Sequence, residues 1–288
     1  MDANSASAIL FPGQGVGDPS SREVVADLRP DLLGLANELV GDDPFERMAE
    51  GTAYAQPAVY CASIAGYERF GRPSAEYFAG HSLGEVGALA AAGAIDDADG
   101  LRIVVARGRV MDDVSRDGEP GGMLAVGSDR DGAQELADEH GLTLANENSP
   151  QQFVLSGPLA QIEEAEAAAK GSGVRAKKLA VAGAFHTEAM SAGVDAFRAE
   201  LDEIEFRSPA VPVVSSTTAD FFGDDVRNGL AASLVSPIRW TAVLARLEQL
   251  GVKRYVDVGP GKVLAGLVRR TIDGAETETL ASRESALA

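Results

Sequence analysis

The pentapeptide Gly80-His81-Ser82-Leu83-Gly84 fits G-x-S-x-G, a strained strand-to-helix turn that exposes a serine Oγ and turns the N–H of the next residue toward it. A serine hydroxyl is a weak nucleophile at neutral pH and needs a base within hydrogen-bond reach, most often histidine. The chain has three histidines. His81 adjoins the serine, but neighbouring side chains on a tight turn diverge, which makes it a positioning or packing residue. His140 precedes Gly141 at the end of an expected helix, where a cation suits the C-terminus. His186, in Gly183-Ala184-Phe185-His186, remains by elimination as the base; the alternative is a satisfied core histidine. Attack on an acyl group also needs donors for the oxyanion that forms. The Leu83 N–H is one. The N–H of Gln14, between Gly13 and Gly15, is a second if that loop borders the serine. Arg107 lies mid-helix in a strongly apolar segment and reads two ways: an internal salt bridge, or a bidentate fork for a carboxylate on the substrate.

These residues need elements to hold them. Ala8–Phe11 reads as a short apolar strand running into the Pro12–Gly15 turn, where glycine lets backbone approach a ligand. Ala58–Tyr67 reads as a helix, Glu76–Ala79 as a buried strand, and Gly84–Gly93 as a helix of small residues, so the strand-to-helix joint falls at Ser82. Leu101–Val114 is a further helix, with Leu101, Val104, Val105 and Val110 facing the core and Arg102, Arg107 and Arg109 spaced along it. Gly118–Gly122 then breaks the chain. The next elements are a strand (123–126), helix (131–140), strand (142–146), strand (152–156), helix (159–170) and strand (175–181), the βαββαβ order of a ferredoxin-like unit. Larger alternation returns through Val211–Ser215, a helix over Thr241–Leu250, the strand Tyr255–Val258 and Gly259-Pro260-Gly261. The expected architecture is an α/β-hydrolase-like domain with a parallel sheet core, residues 1–119 and 183–288, interrupted by a ferredoxin-like subdomain at 120–182. Composition makes Met1–Ser7 and the run from about Gly274 to Ala288 frayed ends.

The bulk properties restrict the function. The content is 45% hydrophobic and 24% charged, that of an ordinary globular protein. Cys61 is the only cysteine, which excludes an internal disulfide framework and a multi-cysteine zinc site; in its apolar run it reads as a core thiol. The net charge of −19 argues against general binding to nucleic acid or an anionic membrane. The start lacks the basic stretch and apolar run of a signal peptide, and no apolar run approaches the ~20 residues that cross a bilayer. A cytoplasmic protein is expected.

The chain resembles the malonyl-coenzyme A:acyl carrier protein transacylases and the acyltransferase domains of polyketide synthases. Phe11-Pro12-Gly13-Gln14-Gly15, Gln56-Pro57-Ala58, Gly80-His81-Ser82-Leu83-Gly84-Glu85, Arg107-Gly108, Asn148-Ser149-Pro150, Ala184-Phe185-His186 and Asp257-Val258-Gly259-Pro260-Gly261-Lys262-Val263-Leu264 occur in family order. The resemblance implies a Ser82–His186 dyad, with a main-chain carbonyl near Ser233 orienting the histidine in place of a carboxylate. It implies Arg107 on the malonyl carboxylate and Gln14 and Leu83 as the oxyanion hole. Gln56 would line the pocket, Asn148 would lie near the coenzyme A or pantetheine arm, and Phe185 before the histidine goes with malonyl. The implied reaction is ping-pong: a coenzyme A thioester is substrate, a holo-acyl carrier protein is acceptor, and neither metal nor bound cofactor is required. A monomer is implied. Arg175, Lys177, Lys178, Arg269 and Arg270 are candidates for phosphate or carrier contacts, or else solvated surface charge. Where family members continue Gly-Gln-Gly with Ser-Gln, this chain reads Val16-Gly17-Asp18, so the edge of the cleft differs there. Two rival readings use the same residues: an editing thioesterase in which water takes the acyl group, and a catalytically idle docking module for carrier proteins.

Overall fold

The computed structural model describes residues 6–15 and 20–287. The five residues Met1–Ser5 and the departure at Val16–Asp18 lie outside the described residues. Nine strands are present among the described residues: β1 (Ala6–Phe11), β2 (Tyr77–Gly80), β3 (Gly121–Gly127), β4 (Thr143–Ser149), β5 (Gln152–Pro158), β6 (Arg175–Lys178), β7 (Val213–Val214), β8 (Val252–Asp257) and β9 (Glu276–Thr279). They form two separate sheets, giving a mixed α/β structure.

The first sheet has the order β7-β2-β1-β8-β9, and every pairing in it is parallel. Residues 8–11 of its central strand β1 are a continuous apolar run because a parallel sheet is covered on both faces. Side chains alternate across a strand. Ile9 and Phe11 accordingly join a core with Val59, Leu89, Leu101 and Val104 from the helices Thr52–Arg69, Gly84–Ala91 and Asp97–Asp117. Ala8 and Leu10 join a second core with Trp240, Leu244, Leu264 and Val268 from the helices Trp240–Gln249 and Val263–Thr271. The second sheet is antiparallel, with the order β4-β5-β3-β6. Its strands and the helices Arg130–Glu139 and Leu159–Gly171 follow one another as strand, helix, strand, strand, helix, strand. Leu124, Val126, Leu144, Phe153, Leu155 and Ile162 make its own core.

The expected elements are present, with several differences at their ends. The helix expected from Ala58 begins at Thr52 and runs through Pro57, which places Thr52 and Gln56 four residues apart on one face. The last strand of the antiparallel sheet stops at Lys178 and not at Val181; only the Leu179 N–H still reaches a neighbouring carbonyl, that of Met123. Through Leu287 the C-terminal run is regular structure. β9 pairs with β8 from Arg254–Glu276 to Asp257–Thr279, and a helix follows over Leu280–Leu287, with Leu280 packed on the main core. An edge strand with one neighbour can be polar along most of its length, which is why composition concealed it. At the other end, Ala6 and Ser7 already belong to β1, and Ser7 bonds through N–H and Oγ to the Glu76 carboxylate.

Candidate active site

The Ser82 turn closes only because its flanking residues are glycines. A Cβ on Gly80 would stand 1.9 Å from the Gly84 carbonyl carbon, and one on Gly84 would stand 2.0 Å from the Phe11 oxygen. β2 therefore turns into the Gly84–Ala91 helix directly against the end of β1. Ser82 is left at φ 52°, a left-handed conformation that costs a non-glycine residue on the order of 1–3 kcal/mol. The Pro12–Gly15 loop abuts this turn: a Cβ on Gly13 would meet the His81 carbonyl oxygen at 2.6 Å. The sequence condition for Gln14, that its loop border the serine, is met. Among the described residues, neither the Gln14 nor the Leu83 N–H donates to a carbonyl or side chain.

His186, which follows the antiparallel sheet in the chain, reaches the same point. It too sits in the left-handed region, at φ 60°. Its Nδ1–H donates to the Ser233 carbonyl at 3.0 Å, which leaves Nε2 bare to accept the Ser82 hydroxyl at 2.8 Å. A carbonyl can only accept, so the tautomer is set. Burial, followed by the positive charge of Arg107, pushes the His186 imidazole down to about 3. The ring is neutral and able to take a proton throughout the ordinary pH range.

Arg107 is not in a salt bridge: among the described residues, no carboxylate lies in ion-pair contact with it. Its Nη1 donates to Gln56 Oε1 at 3.0 Å and its Nη2 to Ser82 Oγ at 3.2 Å. Only 3% of it is exposed, and burial pushes the guanidinium down to about 10, with the Glu85 charge opposing. Glu85, directly after the glycine of the turn, is fully buried. Its Oε1 accepts the Ser216 N–H at 2.6 Å and the Ser215 hydroxyl at 3.1 Å, and burial pushes its carboxyl up to about 6.

The remaining expected residues are placed as follows. Gln56, expected on the pocket wall, is completely buried; its amide nitrogen donates to Thr52 Oγ1 at 2.9 Å and contacts Met111 Sδ at 3.3 Å. Phe185 lines a cavity of about 350 Å³ together with Gln14, Thr52 and Asp112. Asn148 takes a hydrogen bond from His81 Nε2–H through Oδ1 at 2.8 Å, and the His81 ring lies 5.3 Å from that of Trp240. Burial lowers the His81 pKa, which suits a neutral positioning residue. His140 caps its helix, 3.9 Å from Glu164, and Cys61 is buried, its thiol pushed up to about 12 by burial. Arg175, Lys177 and Arg270 share a cavity of about 320 Å³ with Ser149 and Gln152. Lys178 pairs with Glu163, and Arg269 bonds Thr277. Residue types alone did not single out Thr52 or Glu85. The available signal was spacing: Thr52 is four residues before Gln56, and Glu85 is three after Ser82.

The assembled site can deprotonate a serine, stabilise an oxyanion and hold an anion beside the attacking oxygen. Comparison with known proteins shows what the chain as a whole is similar to. The chain is 36% identical over 309 residues to the polyketide biosynthesis protein ThaF of Burkholderia thailandensis, an alignment that covers 99% of this chain but only 26% of that protein. It is 34% identical over 286 residues to the malonyl CoA-acyl carrier protein transacylase of Escherichia coli K12, covering 92% of this chain and 93% of the relative. A solved complex of a type II polyketide synthase acyl-carrier protein with its malonyl-transacylase superposes with a TM-score of 0.88 at 30% identity, covering 98% of this chain and 99% of the other. The profile described as acyl transferase domain matches residues 36–284, and the chain belongs to that family.

Proposed function

We propose that this chain is an acyl-carrier-protein S-malonyltransferase, moving a malonyl group from malonyl-CoA to the phosphopantetheine thiol of a holo-acyl carrier protein through a Ser82 ester. One observation carries the reading: a neutral histidine and a buried guanidinium with no carboxylate partner among the described residues converge on the same Ser82 Oγ, at 2.8 and 3.2 Å. A guanidinium so close to the attacking oxygen suits an acyl group whose carboxylate is one methylene from the reacting carbonyl, and that group is malonyl.

In the first half-reaction His186 Nε2 takes the Ser82 proton while Oγ attacks the thioester carbonyl. The oxyanion is held by the N–H groups of Gln14 and Leu83, and His186 returns the proton to the departing coenzyme A thiolate. In the second, His186 takes the proton of the carrier's thiol, the thiolate attacks the Ser82 ester, and Oγ leaves reprotonated. The thioester is already activated, so the residues named supply every proton and charge the cycle needs without metal or cofactor. Arg107 holds the carboxylate with Gln56 behind it, Phe185 narrows the wall as expected for malonyl, and Asn148 stands beside the pantetheine arm. Arg175, Lys177 and Arg270, a local basic patch on a chain of charge −19, are our candidates for the phosphates or the acidic carrier.

We read the architecture as an α/β-hydrolase-like catalytic domain, residues 1–119 and 183–288, carrying a ferredoxin-like subdomain at 120–182; the βαββαβ order and the sheet order β4-β5-β3-β6 support this. We also read the protein as a cytoplasmic monomer that engages neither nucleic acid nor membrane. Its net charge of −19 supports the lack of nucleic-acid and anionic-membrane binding; no helix among the described residues is long and apolar enough to cross a membrane.

The test is intact-protein mass after mixing with malonyl-CoA, with acetyl- and methylmalonyl-CoA alongside, followed by a phosphopantetheinylated carrier protein. The expected outcome is a malonyl adduct that is absent in Ser82→Ala and moves intact to the carrier. Decay of the adduct to free malonate regardless of carrier would overturn the reading in favour of the editing hydrolase.

A further inference from the structure

A line of hydrogen bonds runs from Arg107 to the Gln14 loop, and its direction is forced by chemistry. Arginine has no acceptor, so Arg107 Nη1 must donate to the oxygen of the Gln56 amide, at 3.0 Å. Gln56 must then present its nitrogen to Thr52, donating to Oγ1 at 2.9 Å. The Thr52 hydroxyl has one proton, and it goes to Gln14 Oε1 at 2.6 Å. Thr52 and Gln56 are 4% and 0% exposed, so water does not replace either bond cheaply. The cavity that Phe185 lines is bounded by both Thr52 and Gln14, so the chain of bonds ends at that cavity wall.

We propose that Thr52 is a positioning residue that joins the carboxylate-binding guanidinium of Arg107 to the oxyanion loop at Gln14, making acyl transfer to Ser82 depend on one rigid unit rather than on two independent subsites. This deepens, and rests on, the assignment of Arg107 and Gln14 to malonyl transfer. Thr52 touches no reacting atom. Its hydroxyl restrains the Gln14 side chain, and through it the backbone N–H of the same residue. The consequence is a kinetic signature different from that of a packing residue: the loss falls on the saturating rate of Ser82 malonylation, and restoring the hydroxyl restores the rate.

The experiment is single-turnover malonylation of Ser82 with Thr52→Val, Thr52→Ser and Gln14→Met, each checked for a native melting transition. The wild-type adduct and its transfer to carrier are the control, and their absence would sink the transferase assignment itself rather than this proposal. The expected result is that Thr52→Val lowers the saturating acylation rate about tenfold with the half-saturating malonyl-CoA concentration changed less than about threefold, and that Thr52→Ser lies within about threefold of wild type. Gln14→Met removes the acceptor from the other end while keeping the backbone N–H. It is expected to match Thr52→Val, and the double variant is expected to be no slower than either single one. If Thr52→Val fails to fold, Gln14→Met with its Gln14→Glu counterpart, which keeps an acceptor oxygen, reads the same bond. A Thr52→Val rate within about twofold of wild type, a serine variant as slow as the valine one, or fully additive losses would each overturn the proposal.

Discussion

Replacing Arg107 by lysine keeps the charge and removes the fork. In the free protein the guanidinium divides its donors between Gln56 Oε1 at 3.0 Å and Ser82 Oγ at 3.2 Å, and a bound malonyl carboxylate would take the donors that face the serine. A compact ammonium on a flexible stem cannot hold Gln56 and grip a carboxylate bidentately at once. A hydrogen bond to a charged group contributes about 1.5–3 kcal/mol. Losing one of the pair therefore lowers kcat/KM for malonyl-CoA by roughly 10- to 150-fold. Acetyl-CoA has no carboxylate to lose, and its slower reaction should change by less than about fivefold. The assay is rapid-quench acylation followed by intact mass, with both thioesters, so that selectivity is read directly. Melting temperatures measured alongside separate the binding loss from the destabilisation caused by leaving Gln56 Oε1 buried and unpaired. Malonylation within about threefold of wild type, or an equal fall for both thioesters, would refute Arg107 as the carboxylate anchor.

Three further outcomes follow from the geometry. Because burial and the Arg107 charge hold His186 at about 3, the base stays neutral as pH falls, and single-turnover acylation should be flat from about pH 8 to pH 5 with no limb near the ordinary histidine value of ~6.5. Removing the like charge in Arg107→Gln should move the acid limb, measured with acetyl-CoA, upward; a wild-type limb near ~6.5 would contradict this account. The Ser233 main-chain carbonyl accepts from His186 Nδ1–H, while among the described residues the Ser233 hydroxyl bonds only the Leu230 carbonyl; kcat of Ser233→Ala should stay within about threefold of wild type, and a loss of about a hundredfold would mean that the side chain matters. Gly84→Ala would drive a Cβ to 2.0 Å from the Phe11 oxygen, backbone that cannot yield, so thermal unfolding should show a loss of at least ~1–3 kcal/mol or no folded protein at all. A native melting temperature in that variant would count against the packing described for the turn.

Local order was readable from the amino acids because it is encoded locally. The G-x-S-x-G turn, the apolar run of β1, the small-residue helix after Ser82 and the βαββαβ alternation each depend on residues within a few positions of one another. β9 escaped such reading because an edge strand with polar side chains has no periodic apolar signature, and the Thr52 end of its helix escaped because Pro57 obscured the continuation. The residue types of the site were also legible: a serine after a strand, a histidine left by elimination, and an arginine in an apolar helix. The two readings of that arginine could not be separated, since spacing along one helix does not say what stands opposite it. Tertiary structure left that arginine with no carboxylate partner among the described residues and brought Gln56, 51 residues away, and Ser82, 25 residues away, to its guanidinium. It likewise brought the Ser233 carbonyl to a histidine 47 residues earlier in the chain. The sequence by itself determined which chemical groups were present and which local turn would carry the nucleophile. Only the folded chain decided which hydrogen bonds those groups make, because a buried donor takes the acceptor that packing places within about 3 Å, however distant in sequence.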